Sequence, residues 1–170
     1  MGKGFSLRCR YCGYHYSAIL GIGFVFPETY EKTIREAKNG DYGGYMRRFL
    51  MDHPDGALNC DQVLLQCGSC GKLDQGMDLS MYVPVSEAEK GDPWRENGYV
   101  VPWDLQENYQ LFDRFPHICR KCNKVMKIHT EEDLQSLCGY RYMRNPKAVN
   151  LIKCPDCGKV MEVVHDSKWD

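Results

Sequence analysis

The stretch Cys9-Arg10-Tyr11-Cys12-Gly13 has the form C-x-x-C-G, and the same spacing of two cysteines returns three more times along the 170-residue chain. The other pairs are Cys67/Cys70, Cys119/Cys122 and Cys154/Cys157. Gly follows three of the four pairs and Asn123 follows the other, and these two residue types adopt positive φ most readily. A chain that turns sharply after the second thiolate can point backbone N–H groups at sulfur. The sequence therefore predicts four metal-binding knuckles.

The composition indicates why a metal would be needed. Leu, Ile, Val and Phe account for 36 of the 170 residues, barely above the roughly 20% at which disorder becomes the expected state. No apolar signal core precedes Cys9, and the longest apolar run, 17–26, is about half the roughly 20 residues that span a bilayer. We expect a cytoplasmic protein. In that reducing compartment, regularly spaced cysteines bind metal more often than they form disulfides.

The pairing of the knuckles can be argued from the segments between them. A closed tetrahedral zinc site takes four ligands, so four pairs predict two four-cysteine sites and two Zn²⁺ ions. A cross-brace, in which the first pair joins the third, would need the second and third pairs close in sequence, but 48 residues separate them. Sequential pairing is therefore favoured. It gives a site 1 of Cys9, Cys12, Cys67 and Cys70 and a site 2 of Cys119, Cys122, Cys154 and Cys157.

The knuckles 9–14, 67–71, 119–123 and 154–158 resemble those of the zinc-ribbon and rubredoxin-like fold group, in which two knuckles on two β-hairpins clamp one metal ion. The resemblance covers about half of the chain and implies an α+β fold with two small zinc-ribbon β modules. Cys-Gly-Tyr at 12–14 and Cys-Pro-x-Cys-Gly at 154–158 also resemble the two halves of a rubredoxin iron site. Sequential pairing puts these halves in different modules. Zinc is therefore the expected metal. A rubredoxin-like iron electron carrier is a further alternative, ranked after the two functions described below.

The remaining segments predict how the modules are organised. Module 1 covers 1–91, with a helical pair inserted over about 28–53, where apolar residues recur at helical spacing. Module 2 covers 117–170. An aromatic-rich connector over 92–116 is expected to pack onto both ribbons.

Shorter elements and the two remaining cysteines complete this prediction. Strands are expected at 63–66, 77–83, 124–129, 149–153 and 159–165. Ser86–Glu89 has the spacing of a capping box for a short helix, and Thr130 is a candidate N-cap for another. Cys60 and Cys138 are interpreted as core residues, since free cysteine is among the most buried residue types.

Nothing in the sequence predicts catalysis. The five histidines show no metal-binding spacing, and no paired carboxylates, Ser/His/Asp arrangement or phosphate loop can be recognised. In each predicted site four thiolates fill every position, which leaves none for a catalytic water. We therefore expect a non-catalytic zinc protein that acts as a protein-interaction or adaptor module.

The charge distribution supports one alternative function. The formal net charge is −1, and because four thiolates with one Zn²⁺ sum to −2, the loaded protein would be near −5. This value argues against a general nucleic-acid binder. Residues 114–153 nevertheless hold nine bases and three acids, and basic residues interleaved with aromatic ones often hold single strands. Nucleic-acid binding is therefore the second hypothesis, with candidate contacts at Tyr140, Arg141, Tyr142, Arg144 and Lys147.

Overall fold

The computed structural model describes residues 2–22, 26–85, 98–138 and 151–169, excluding the side chains of 136–138 and 164–169. Its strands are β1 (Gly2–Arg8), β2 (His15–Leu20), β3 (Ala57–Leu58), β4 (Gln62–Cys67), β5 (Leu73–Met77), β6 (Met81–Pro84), β7 (Tyr109–Asp113), β8 (Met126–His129) and β9 (Glu162–Trp169). Its helices are α1 (Phe26–Asn39), α2 (Gly44–Asp52), α3 (Pro102–Asn108) and α4 (Glu131–Cys138). The mixed helix and sheet content is compatible with the expected α+β class.

Contacts divide the chain into two units. Unit 1 comprises Met1–Gly23, Gln62–Gly76 and Pro116–Asp170, and unit 2 comprises Phe24–Asp61 and Met77–Phe115. This division cuts across the predicted modules, because both 1–91 and 117–170 contribute to unit 1. The described part of the expected connector, from residue 98, forms α3 and β7 within unit 2.

Unit 1 contains two three-stranded antiparallel sheets. One has the order β2-β1-β9 and the other the order β5-β4-β8. Both bring the C-terminal third of the chain against earlier strands, since Arg8 pairs with Glu162 and Cys67 pairs with Met126. These long-range pairings decide which knuckles meet.

Strand β4 packs on both of its faces. Successive side chains of a strand point to opposite sides, and every residue from Val63 to Cys67 is buried. Leu64 belongs to a core cluster that includes Phe5, Leu7, Leu20, Leu134, Ile152 and Met161. Val63, Leu65 and Cys67 belong to a second cluster with Cys119 and Met126. Strand β4 thus lies between two small cores and contributes side chains to both.

The predicted N-cap of α4 is confirmed. The Asp133 N–H donates to Thr130 Oγ1 over 3.4 Å, and the Thr130 N–H donates to Asp133 Oδ2 over 3.0 Å. Three acidic residues occupy the first turn, where the helix dipole favours negative charge. The Leu134 side chain anchors this helix in the core of unit 1.

Unit 2 consists of α1, α2, α3 and the sheet β3-β6-β7. The predicted helical pair is confirmed, with Gly40 at φ 93° directly after α1. Aromatic contacts are prominent in this unit. Phe49 lies 5.1 Å from Phe112 and Tyr30 lies 6.5 Å from Tyr99, centroid to centroid.

Two strand predictions need correction. The segment 77–83 is not one strand, because the chain leaves the extended region at Leu79, whose φ is 59°. The N–H groups of Asp78 and Leu79 donate instead to the carbonyls of Asp61 and Asn59. Within 151–153 the structure shows only an isolated bridge between Lys153 and Val160. Residues 149–150 and 86–89 lie outside the described residues.

Among the residues that the structure describes, no helix is both long and apolar enough to cross a membrane.

Candidate metal centres

All four knuckles have the same backbone hydrogen bonds. In each, the N–H of the first cysteine donates to the carbonyl five residues later, and the N–H four residues after that cysteine donates back to its carbonyl, over 2.7–2.9 Å. The residue that closes this turn has positive φ, and it is Gly13, Gly71, Asn123 or Gly158, with φ of 77°, 71°, 58° and 71°. The recurring Gly or Asn in the sequence is therefore explained by one turn geometry.

The eight knuckle cysteines gather into two clusters of four, and within each cluster the four sulfur atoms lie within 4.8 Å of one another. We call them the outer centre and the inner centre. The outer centre consists of Cys9, Cys12, Cys154 and Cys157, and the inner centre of Cys67, Cys70, Cys119 and Cys122.

The gathering into two four-cysteine clusters agrees with the sequence analysis, but the sequential pairing is wrong. The first knuckle meets the fourth and the second meets the third, so the inner centre is nested within the outer one along the chain. Neither predicted set, with Cys9 beside Cys67 or Cys119 beside Cys154, exists in the structure. The physical reason is strand pairing. Strand β9 returns to β1, and β8 pairs with β4.

The sulfur positions fit a tetrahedral ion. The Sγ atoms of Cys9 and Cys157 are 3.4 Å apart, and those of Cys67 and Cys122 are 3.3 Å apart. A Zn–S bond of about 2.3 Å places ligands about 3.8 Å apart at the corners of a tetrahedron. Each cluster therefore needs only a small expansion to hold a thiolate-bound metal ion.

The two centres differ in exposure. Each has two buried cysteines, but Cys12 and Cys157 of the outer centre are exposed, whereas Cys70 and Cys122 of the inner centre are only partly exposed. Solvent and small reagents therefore reach the outer sulfurs more easily.

As free thiols, the members of each cluster ionise unequally. The pKa of Cys67 is lowered to about 6, mainly by a hydrogen bond from the backbone N–H of Cys70. The pKa of Cys122 is raised to about 12, mainly by its hydrogen bond with the Cys67 sulfur. In the outer centre, the N–H of Cys12 is the main cause that lowers the pKa of Cys9 to about 7. A thiol must lose its proton to bind metal, so loading a centre releases protons.

The segments that carry the two centres touch inside unit 1. The Gln66 side chain, next to Cys67, donates from Nε2 to the Lys153 carbonyl over 2.7 Å and accepts the Lys153 N–H at Oε1 over 3.3 Å. A Cβ atom on Gly71 would lie 3.0 Å from Cα of Pro155. The second knuckle and the strand before it therefore contact the segment 153–155 that leads into the fourth knuckle.

Charged and aromatic groups surround the outer centre. Arg10 forms an ion pair with Glu162. The Lys159 ammonium lies 5.8 Å from the centroid of the exposed Tyr11 ring. Both cations belong to knuckles of the outer centre, since Arg10 lies between Cys9 and Cys12 and Lys159 follows Gly158.

The other singled-out residues have different outcomes. Cys60 is buried as predicted, and desolvation raises the pKa of its thiol to about 12. The Cys138 side chain lies outside the described part of the chain, as do the candidate nucleic-acid contacts Tyr140, Arg141, Tyr142, Arg144 and Lys147.

Sequence reasoning missed two features of unit 1. One is the Gln66 bridge, which a single polar residue in an apolar strand could have signalled. The other is His129, which is fully buried with neither ring nitrogen hydrogen-bonded. Burial lowers the pKa of His129 to about 4.

Comparisons with known protein families, with curated proteins and with solved structures found no match to this chain.

Proposed function

We propose that the protein holds one structural Zn²⁺ in each centre and acts, without catalysis, as a protein-interaction module in the reducing cytoplasm. The gathering of eight sulfurs into two closed sets of four carries the metal part of this proposal. Four thiolates complete the coordination of zinc and leave no position for a substrate or a reactive water. The metal would then stabilise the fold rather than perform chemistry.

Elemental analysis of protein purified without chelator tests this assignment. The expected result is two zinc ions per chain, falling to one in a Cys9→Ser/Cys157→Ser variant and in a Cys67→Ser/Cys122→Ser variant. Cys60→Ser is the matched control, because Cys60 belongs to neither centre. Metal-free protein in which unit 1 remains folded would contradict the proposal.

An exposed surface on the third knuckle supports the interaction role. Ile118 and Val125 pair across the base of this knuckle and are 47% and 62% exposed. The basic side chains Arg120, Lys121 and Lys124 around them are exposed as well. We call these five residues the third-knuckle surface. Its apolar centre and basic rim fit an acidic protein segment with apolar side chains.

The composition of unit 1 agrees with this choice of partner. Unit 1 holds 14 bases and 8 acids, whereas unit 2 holds 8 bases and 15 acids. Two loaded four-cysteine centres add about −4 to unit 1 and leave it weakly positive. Exposed aliphatic side chains at the centre of the third-knuckle surface favour a protein over a nucleic acid, which would be stacked on aromatic rings.

Affinity purification from native lysate with metals retained tests the surface. Partners should be captured by the unaltered protein and lost with Ile118→Ser/Val125→Ser, while Ile19→Ser, at an equally exposed site of unit 1, retains them. Capture that survives the double substitution would place the partner elsewhere. Co-purified RNA or DNA whose binding falls steeply with salt would instead favour the nucleic-acid hypothesis.

A specific observation also favours iron at the outer centre as a second candidate. Cys12-Gly13-Tyr14 and Cys154-Pro155-Asp156-Cys157-Gly158, which resemble the two halves of a rubredoxin site, belong to one centre rather than to separate modules. The two exposed cysteines of that centre, Cys12 and Cys157, would also give an electron partner short access to the metal.

Anaerobic purification tests the iron alternative. An electron carrier would be coloured, contain one iron per chain and lose both properties with Cys12→Ser but not with Cys70→Ser. Colourless protein with two zinc ions would exclude this alternative.

A further inference from the structure

We propose that the two centres bind metal cooperatively, with Gln66 as the residue that couples them. This inference rests on the proposed function, since it concerns how the same two sites are loaded. Its basis is the contact between the segments that carry the inner and outer ligands. The lengths of the two loops set the expected order of loading, and the Gln66 contact supplies the coupling.

The first feature is the order in which the two loops can close. The inner loop joins Cys70 to Cys119, which are 49 residues apart, and the outer loop joins Cys12 to Cys154, which are 142 apart. The cost of closing a loop grows as the logarithm of its length, so the probability of closure falls with the 3/2 power of length and the inner closure is favoured about fivefold. The inner centre should therefore load first.

The second feature is nesting. When the inner centre is closed, the path from Cys12 to Cys154 is shortened by roughly 50 of its 142 residues. This change favours outer closure only about twofold by the same length dependence. Nesting alone therefore gives only weak cooperativity. The larger coupling that we propose depends on a direct contact between the two segments.

The third feature is the Gln66 bridge. Gln66 is buried and lies one residue before Cys67. Both polar ends of its side-chain amide are hydrogen-bonded to the backbone of Lys153, one residue before Cys154. Fixing Cys67 on an inner metal thus fixes the backbone that enters the outer ligand. Separating the two segments would leave a buried amide and two backbone groups unsatisfied. A coupling of at least fivefold is within the usual range for linked sites.

Native mass spectrometry at sub-saturating zinc measures this coupling directly. The quantity is the product of the metal-free and two-metal fractions, divided by the square of the one-metal fraction. If the two sites bind independently, this ratio cannot exceed about one quarter, whether their affinities are equal or not. If metal in one centre raises the affinity of the other, the ratio is multiplied by the factor of that increase. We expect Gln66→Leu, which keeps the volume but removes both hydrogen bonds, to lower the ratio at least fivefold.

The control is Gln110→Leu, at an exposed strand position of unit 2, which should leave the ratio unchanged. An unchanged ratio in Gln66→Leu would overturn the coupling while leaving the zinc assignment intact. Absence of any bound zinc in the unaltered protein would instead overturn the proposed function.

A second variant covers the case in which Gln66→Leu fails to fold. Gln66→Glu retains an acceptor for the Lys153 N–H and loses the donor to the Lys153 carbonyl. We expect its ratio to lie below that of the unaltered protein. A ratio equal to the unaltered one would contradict the assignment of Gln66 as the coupling residue.

Discussion

The two units of this chain are stabilised in different ways. Unit 1 has two small apolar clusters on either side of β4, and both include cysteines of the outer or inner centre among their buried members. Unit 2 instead packs helices and a small sheet with several aromatic pairs, among them Phe26 with Tyr30 and Phe49 with Phe112. The described part of unit 2 contains no cluster of metal ligands. Under the proposed function, metal ions that cross-link these cysteines would let short strands with few aliphatic side chains form a stable unit.

The largest expected effect is that removal of metal by a chelator unfolds unit 1 but not unit 2. A structural zinc contributes an apparent ~10–16 kcal/mol in small finger peptides, which exceeds or matches the ~5–15 kcal/mol net stability of a whole domain. A strong chelator should therefore abolish hydrogen-exchange protection in β1, β4 and β8, while α1 and α2 stay protected. Exchange followed by mass spectrometry measures this. Equal loss of protection in the helices would show that both units unfold together.

A matched pair of core substitutions gives the next largest effect. Leu64 in unit 1 and Met46 in unit 2 are both fully buried, and truncation of such side chains to Ala costs about 2–5 kcal/mol. Urea unfolding of the zinc-loaded protein should show a decrease of this size in the free energy of unfolding for both variants. Zinc affinity, measured by competition with a chromophoric chelator, should weaken only in Leu64→Ala. Weaker zinc binding in Met46→Ala would contradict the separation of the two units.

The buried His129 predicts a pH dependence specific to unit 1. Burial lowers its pKa from 6.5 to about 4, with Asp133 raising it and Lys127 lowering it as smaller effects. Below about pH 6.5 the unfolded chain takes up a proton that the folded chain accepts only near pH 4. The free energy of unfolding should therefore fall as the pH drops through this window.

His129→Leu is expected to flatten this dependence by up to about 1.4 kcal/mol per pH unit, the value for one proton. Urea unfolding at several pH values measures the difference between the two proteins. Thiolate protonation acts equally on both, so it cancels in the comparison. Parallel pH profiles would show that His129 has the same pKa in the folded and the unfolded protein.

The smallest expected effect concerns the third knuckle. Asn123 has φ 58° where the other knuckles have Gly. A left-handed conformation costs a residue with a Cβ roughly 1–2 kcal/mol, and Asn tolerates it better than Ala does. Asn123→Ala should therefore lose about 1 kcal/mol of stability in thermal unfolding, while Asn123→Gly should be neutral or slightly stabilising. Equal stability of the two variants would contradict this account of the turn.

The sequence predicted local features of this molecule better than distant ones. The knuckle turns follow from Gly13, Gly71, Asn123 and Gly158, because positive φ depends on residue type. The paired helices α1 and α2 and the Thr130 cap follow from periodicity and capping chemistry for the same reason. Each of these features depends on residues only a few positions apart.

The ligand pairing depends on contacts that no local pattern encodes. All four knuckles have nearly the same turn, and the only signal that joined Cys9/Cys12 to Cys154/Cys157 was the rubredoxin-like flanks at 12–14 and 154–158, which were overridden by the spacing between the pairs. The choice is made by β9 pairing with β1 and β8 pairing with β4, over more than a hundred and about sixty residues respectively. Even the repeated Lys-Val-Met that follows the third and fourth pairs, at 124–126 and 159–161, does not mark a shared site, because these pairs belong to different centres.

The nested order of the centres has a consequence during synthesis of the protein. All four ligands of the inner centre have left the ribosome once Cys122 has emerged, whereas the outer centre must wait for Cys157, 35 residues later. At about 5–20 residues per second, this delay is roughly 2–7 s. During that interval Cys9 and Cys12 have no native partner while a complete set of four thiolates is available farther along the nascent chain. Earlier, between the emergence of Cys70 and that of Cys119, 49 residues later, Cys67 and Cys70 are the only other knuckle outside the ribosome, so the first knuckle is open to this non-native pairing.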